Sequence, residues 1–404
     1  MKIATLIASA VMVSLSLGIG GGAMAQVGDT VRLGVLTDMI GANAAWAGKG
    51  SVVATELAIA DFKAAHPDLP YKIEVQSADF QLKSDVAVAI SRKWAADGVN
   101  AIIDIPYSAA ALAVKDALKG SPVALLMTGP QHDDLTTKEC ASNMVHWVLD
   151  VSAISLPPLR GMVKGGEKRW FLITVDGAGG TNAEEPIRRV VTEEGGTVLG
   201  SVRNPINAPD FSSYLLQAQA AKPDVIVLIQ TGADFVTALK QAEEFGLRDG
   251  KIRIHVPNPK ITDIYGFGLP LAKGLRYADA FYHDADDKKR AFSKRFADKM
   301  GGQVPSSNQA GVYSVVMHYL NSVQEAKTTN GDAVVAKMKQ LPVTDPVLGP
   351  GKVRMDGRMV HDMYMLDVKT PAESKGPWDL AKVVRVIPGD DAFRPMSKAC
   401  PLVK

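Results

Sequence analysis

The sequence predicts an α/β protein built as two doubly wound, Rossmann-like lobes joined by a hinge of several strands. Three observations carry this. Short apolar runs alternate with amphipathic helical patterns, the arrangement of a parallel sheet covered on both faces. The pattern restarts part-way along the chain, so there are two such sets. The last third supplies too few strands for a third sheet, so it completes the first two and the chain crosses between lobes more than once. At 404 residues the chain has room for two cores of ordinary size.

The first set opens with strand Val31–Leu36 and a Gly-rich loop, Thr37 to Gly50. A helix from about Ser51 to Ala65 places Val53, Leu57, Ala60 and Ala64 on one face, and His66-Pro67 stops it. Tyr71, Ile73 and Val75 alternate with polar residues as a half-exposed strand. A helix from Ser84 to Ala96 leads to the run Ala101–Ile105, and a helix from Ala109 to Leu118 leads to Val123–Met127. The second set begins with strand Arg169–Val175 and Gly-rich Asp176–Thr181, then a helix to about Glu194 stopped by Gly195-Gly196. Strand Thr197–Val202, a helix opened by Asp210, strand Val225–Ile229, helix Gly232–Phe245 and strand Ile252–Val256 follow. The remainder reads as strand Leu275–Phe281, helices near Asp286–Met300, Ser307–Ala326 and Gly331–Gln340, and short strands near Val353 and Tyr364–Val368.

Charged residues are 22% and apolar residues 47%, the balance of a globular chain. The formal charge of +2 forms no basic stripe, which argues against nucleic acid as a partner. Lys2, an apolar stretch from Ile3 to Ile19 and the small-x-small triplet Ala23-Met24-Ala25 read as a secretory signal over residues 1–25, with the mature chain starting at Gln26. The stretch is broken by serines and ends in glycines, which disfavours a membrane anchor. In an exported chain the two cysteines, Cys140 and Cys400, favour a disulfide over two free buried thiols.

In open parallel sheets ligands bind beyond the carboxyl ends of the strands. Those loops are Thr37–Gly50, Pro106–Ala109, Thr128–Asp134, Asp176–Thr181, Gln230–Asp234 and Pro257–Asp263. Trp46, among glycines, either walls an apolar part of a ligand or packs on its own lobe. Ser108 follows Pro106-Tyr107 and serves as a helix cap, a ligand contact or both. Asp176 and Asp263 end strands, where each carboxylate can hold an ammonium or cap a helix. His132, between Gln131 and Asp133, reads as a surface residue when taken alone.

Catalytic patterns fail on inspection. Asp176-Gly177-Ala178-Gly179-Gly180-Thr181-Asn182 resembles a dinucleotide fingerprint, but Asn182 stands where its third glycine belongs and the next strand ends in Val202-Arg203, without a ribose-binding acid. There is no Gly-Lys-Ser/Thr phosphate loop, no Gly-x-Ser-x-Gly elbow and no His-x-x-x-His spacing, so neither a cofactor nor a metal is expected. An exported two-lobed chain without a catalytic constellation points to binding.

Several long segments resemble the branched-chain amino-acid-type solute-binding proteins of ABC importers, the type I periplasmic binding fold. They are Phe211–Ala220, Ala310-Gly311-Val312-Tyr313-Ser314 and Asp356–Tyr364, with Cys140–Trp147 and Ala392-Phe393-Arg394-Pro395 fitting one bacterial branch. The resemblance implies a three-stranded hinge, with lobe 1 formed by 26–149 plus 280–352 and lobe 2 by 150–279 plus 353–404. It implies a periplasmic monomer that closes on a small solute and presents it to an importer permease; a receptor subunit reporting to a membrane sensor has the same fold. Carried over position by position, Trp46, Tyr107, Ser108, the segment Gly129–His132 with Gln131, Asp176, Gly177, Gly179, Thr231 and Asp263 fall at ligand positions. Gly177 and Gly179 stand where relatives commonly carry aromatics, His132 replaces a small hydroxyl, and Pro130 lacks a backbone donor. These departures imply a solute other than leucine, isoleucine or valine, such as an aromatic acid or an amide, with a carboxylate expected against Ser108.

Overall fold

A computed structural model of the chain describes residues 27–404 apart from 149, 177, 206, 231, 249, 250 and 258. The signal segment, Gly177 and Thr231 therefore lie outside the described residues.

The first lobe runs β1 (Thr30–Thr37), α1 (Gly48–Ala65), β2 (Lys72–Asp79), α2 (Ser84–Ala96), β3 (Ala101–Asp104), α3 (Ser108–Ala117), β4 (Ala124–Met127) and β5 (Met144–His146). Its strands form one parallel sheet in the order β2-β1-β3-β4-β5. β3 and β4 are buried along their whole length, which explains why they read as continuous apolar runs rather than as alternating ones.

The second lobe runs α4 (Val151–Lys164), β6 (Arg169–Val175), α5 (Ala178–Glu193), β7 (Thr197–Asn204), α6 (Ser212–Ala220), β8 (Val225–Ile229), α7 (Gly232–Glu244), β9 (Arg253–His255), α8 (Ile261–Phe267), α9 (Leu269–Ala272) and β10 (Arg276–Asp279). The parallel order here is β7-β6-β8-β9. In both sheets the order reverses beside the first strand, so the switch points lie between β1 and β3 and between β6 and β8. The glycines after β6 serve packing: a Cβ on Gly180 would stand 2.0 Å from the Val175 carbonyl oxygen, so only glycine lets α5 start this close to its strand.

The remaining elements are α10 (Asp287–Lys299), α11 (Ser307–Ala326), α12 (Gly331–Met338), β11 (Gly351–Val353), β12 (Met359–His361), β13 (Met363–Val368), β14 (Ala381–Ile387) and α13 (Gly389–Ala392). Helices α10, α11 and α12 bury Phe292, Phe296, Tyr319 and Val335 in the first lobe's core. Strands β10, β13 and β14 form a three-stranded antiparallel sheet. That sheet belongs to both cores: Tyr277, Leu366, Val368 and Ala381 pack in the second, while Ala278, Met363, Met365 and Ile387 pack in the first. It is the hinge.

The packing crosses the expected bounds: Ala153 and Ile154, expected in lobe 2, lie in the first core, and Tyr282 and Val304, expected in lobe 1, lie in the second. Residues 353–404 were expected in lobe 2, yet Val353, Met359, Val360, Ala392 and Phe393 lie in the first lobe's core. The tail is fastened there by the Cys140–Cys400 disulfide, with an S–S distance of 2.01 Å. Helix α4 was not foreseen because Pro157-Pro158 interrupts its pattern; both prolines are buried inside it.

Candidate ligand-binding cleft

The first lobe's switch point is built around a buried carboxylate. Asp104 ends β3 with a positive φ of 84°, and Ile105 follows at 54°. Such backbone persists only where the surroundings overdetermine it. Here Thr37 Oγ1 donates to one carboxylate oxygen at 2.8 Å, and Thr128 Oγ1 and Asn308 Nδ2 donate to the other at 3.1 and 2.9 Å. These bonds gather the ends of β1, β3 and β4 and the start of α11 at one point. Burial pushes the Asp104 carboxyl pKa up, against those donors.

Three first-lobe loops converge above it. In the first, the Asp38 carboxylate accepts from Gly41 N at 2.9 Å and Asn43 N at 2.8 Å. Asn43 Nδ2 donates to the Pro106 carbonyl at 2.5 Å, and the Ser306 hydroxyl donates to the Trp46 carbonyl at 2.6 Å. This backbone fixation leaves the Trp46 side chain half-buried at the cleft. In the second, Tyr107 is 41% exposed and heads α3 without a side-chain cap. The Ser108 hydroxyl accepts from Gln131 N at 3.3 Å. In the third, a Cβ on Gly129 would lie 2.5 Å from Pro106 Cα, so the glycine allows the two loops to touch. Val151 N donates to the Gln131 carbonyl at 3.0 Å, tying this loop to the first crossover. His132 does not reach the cleft wall; its Nδ1 accepts from Asp134 N at 3.2 Å and closes a short 3-10 turn.

The second-lobe wall comes from the loops after β7, β8 and β9 and the helices they enter. Asp176 is exposed at the end of β6, and Gly179 lies in the first turn of α5. Gln230 Nε2 bridges the Asn204 side-chain oxygen at 2.7 Å and the Ile173 carbonyl at 3.0 Å. The Asp234 carboxylate accepts from Asn207 N at 2.8 Å. Asp263 turns back on its own helix, accepting from Lys260 N at 2.9 Å. Burial pushes the Asp263 carboxyl up, a shift opposed by the Lys260 backbone donor and ammonium.

Between the walls lies a cavity of about 710 Å³. Asn43, Trp46 and Gln131 line it from the first lobe and Phe235, Lys260, Asp263 and Phe267 from the second. Of the expected residues, then, Trp46, Gln131 and Asp263 line this space, whereas Tyr107, Ser108, Gly129, His132 and Asp176 do not. Lys260, unforeseen, is 4% exposed, and its Nζ lies 5.8 Å from the centroid of the Trp46 ring on the other lobe. The available signal was a lysine in the middle of a strand-end loop, Pro257–Asp263. Among the described residues no group of His, Cys, Asp and Glu could hold a metal ion.

Residues 30–377 match the family model described as periplasmic binding protein. The chain belongs to that family. It is similar to a Burkholderia mallei periplasmic binding protein, at 38% identity and a TM-score of 0.84, over 93% of this chain and 100% of that one. It is also similar to a branched chain amino acid ABC transporter periplasmic ligand-binding protein of Burkholderia xenovorans LB400, at 39% identity and a TM-score of 0.85, over 90% and 97% of the two chains. A curated relative is a Leu/Ile/Val-binding protein homolog of Brucella melitensis, 22% identical over 67% of this chain and 70% of its own. The expected family and two-lobed type I fold are thus borne out. This periplasmic binding protein is the solute-binding component of an ABC uptake system, a class that binds small molecules and works with a membrane permease.

Proposed function

We propose that this binding protein captures a small carboxylate, amide or amino-acid-like solute between its lobes and releases it chemically unchanged to the permease. The observation that carries this reading is the cavity lined from both lobes, whose volume falls in the ordinary range for small-ligand sites. Trp46, Phe235 and Phe267 supply apolar area, and Asn43 and Gln131 supply directional polar groups. Asp263 borders the ligand, while Ser108 and Gly129 act one step back by holding the Gln131 loop against Pro106 and α3. The Burkholderia and Brucella relatives named for branched-chain amino acids support an amino-acid-like size class. Gly177 and Gly179, standing where relatives commonly carry aromatics, support a solute bulkier than leucine, isoleucine or valine. Export with cleavage after Ala25 and action as a monomer without nucleic acid complete the proposal; intact mass of the secreted chain tests the cleavage.

The test is a thermal-shift screen of the mature protein against amino acids, aromatic acids, amides and polyols. A ligand present at a hundredfold excess over its dissociation constant adds about 2.7 kcal/mol to stability. A shift confined to one chemical class sustains capture, and mass spectrometry must return that ligand unaltered. Turnover of the ligand, or no shift from a protein stripped of endogenous solute, sinks the reading.

A further inference from the structure

The C-terminal tail reaches back across the first lobe to the loop that carries Gln131 into the cleft. Two anchors hold it there. Cys400, fully buried, is bonded to Cys140, and the Arg394 carbonyl accepts from Arg354 Nη1 at 2.7 Å. So placed, the Arg394 guanidinium donates to the Asp133 carbonyl and, at 3.1 Å, to Thr136 Oγ1, gripping the short turn Asp133–Thr136 that follows Gln131 and His132. Its Nη1 also stands 3.7 Å from the Asp133 carboxylate. That carboxylate accepts from Ser152 Oγ at 2.6 Å and Ser152 N at 3.3 Å, at the start of α4, where the chain first crosses between lobes. One residue earlier, Val151 N donates to the Gln131 carbonyl at 3.0 Å. The turn, the crossover and the cleft wall thus form one bonded patch, and a residue of the tail closes it. The patch also holds like charges. Burial and the nearby Asp150 carboxylate push the Asp133 carboxyl up, and the Arg394 guanidinium pulls against them.

We infer that Arg394 is a positioning residue of the cleft: anchored by the Cys140–Cys400 bridge, it fixes the turn Asp133–Thr136 and through it the place of Gln131 on the cavity wall. The inference rests on capture between the lobes for its functional meaning. Its test needs no ligand, so the two fail separately.

Hydrogen exchange read by peptide mass spectrometry on the mature protein tests it. In Arg394→Ala, which leaves the backbone bond to Arg354 in place, segments 129–137 and 150–154 exchange at least about tenfold faster, while 101–105 around β3 and 225–229 in β8 stay within about twofold. The paired change Cys140→Ser, Cys400→Ser speeds the same two segments. Adding Arg394→Ala to it speeds them by less than about a further twofold, because bridge and guanidinium act through one contact. Unchanged exchange in 129–137 for Arg394→Ala overturns the inference. So does a rise shared equally by β3 and β8, which would make Arg394 a residue of general stability, and so do fully additive effects of the bridge and the guanidinium. Should Arg394→Ala not fold, the paired cysteine change decides alone, by whether exchange in 129–137 rises more than in 101–105.

Discussion

Two buried charged clusters in this protein are built by different rules. Around the first crossover, Arg358 is fully buried and every direction is filled: Nη1 donates to Asp150 at 3.3 Å and to His146 Nδ1 at 3.1 Å, Nη2 to the Val148 carbonyl at 2.7 Å, and Nε to the Met359 carbonyl at 3.1 Å. Asp150 also caps α4 at Ala153 N, and His146 Nε2 donates to the Pro130 carbonyl. In the second cluster Lys260 and Asp263 border a cavity, Asp263 accepts from Lys260 N, and Asp279 accepts from Ala280 N. The first cluster, enclosed on every side, is part of the frame, whereas the second stands at the edge of the space between the lobes.

The contrast can be broken by substitution. Arg358→Met leaves the Asp150 carboxylate buried beside a neutral neighbour and is expected to cost about 3–5 kcal/mol in denaturant unfolding. A loss below about 1 kcal/mol would remove the distinction from surface ion pairs. The paired change Cys140→Ser, Cys400→Ser releases the tail that carries Arg394, which donates to the Asp133 carbonyl and to Thr136 Oγ1. It is expected to cost about 2–4 kcal/mol by the same measurement.

Acid titration sharpens the comparison. Burial and the Arg358 charge hold His146 down at about 3, below its ordinary 6.5. The unfolded chain then binds the extra proton first, so stability is present above pH 6.5 and is lost as pH falls toward 3. His146→Asn should make the decline shallower by about 1.4 kcal/mol per pH unit across that window. An unchanged slope would mean that His146 is not neutral in the frame. The smallest effect is expected at the cleft, where Lys260→Met should move stability by less than about 1 kcal/mol, because a buried charge and its desolvation cost leave together. A loss as large as that of Arg358→Met would place Lys260 in the frame as well.

How much of this was legible in the sequence depended on what kind of signal each part leaves. The parallel strands announced themselves because burial on both faces demands unbroken apolar runs, as in Val225–Ile229. Strand β14 did not: its interior residues from Lys382 to Val386 are all exposed at a sheet edge, so no burial pattern marks it. Trp46 and Asp263 could be picked out as a lone aromatic and a lone acid in strand-end loops. Asp263 nevertheless spends its carboxylate on a helix start, a contact set by backbone geometry that residue type cannot reveal. Lys260 was missed because its significance lies in a ring more than two hundred positions away in sequence, brought opposite only by the packing of the lobes.

The hinge sheet has a consequence for anyone who would take the molecule apart. Because β10, β13 and β14 each carry side chains in both cores, and the tail after β14 returns to the first lobe, neither lobe is encoded by one uninterrupted stretch of gene. A protease nick in any one crossover leaves two halves still held by the others, and a truncation at any of these junctions strips strands from both sides at once. Evolution can remodel the cleft loops one by one, but it must inherit, duplicate or lose the two lobes together.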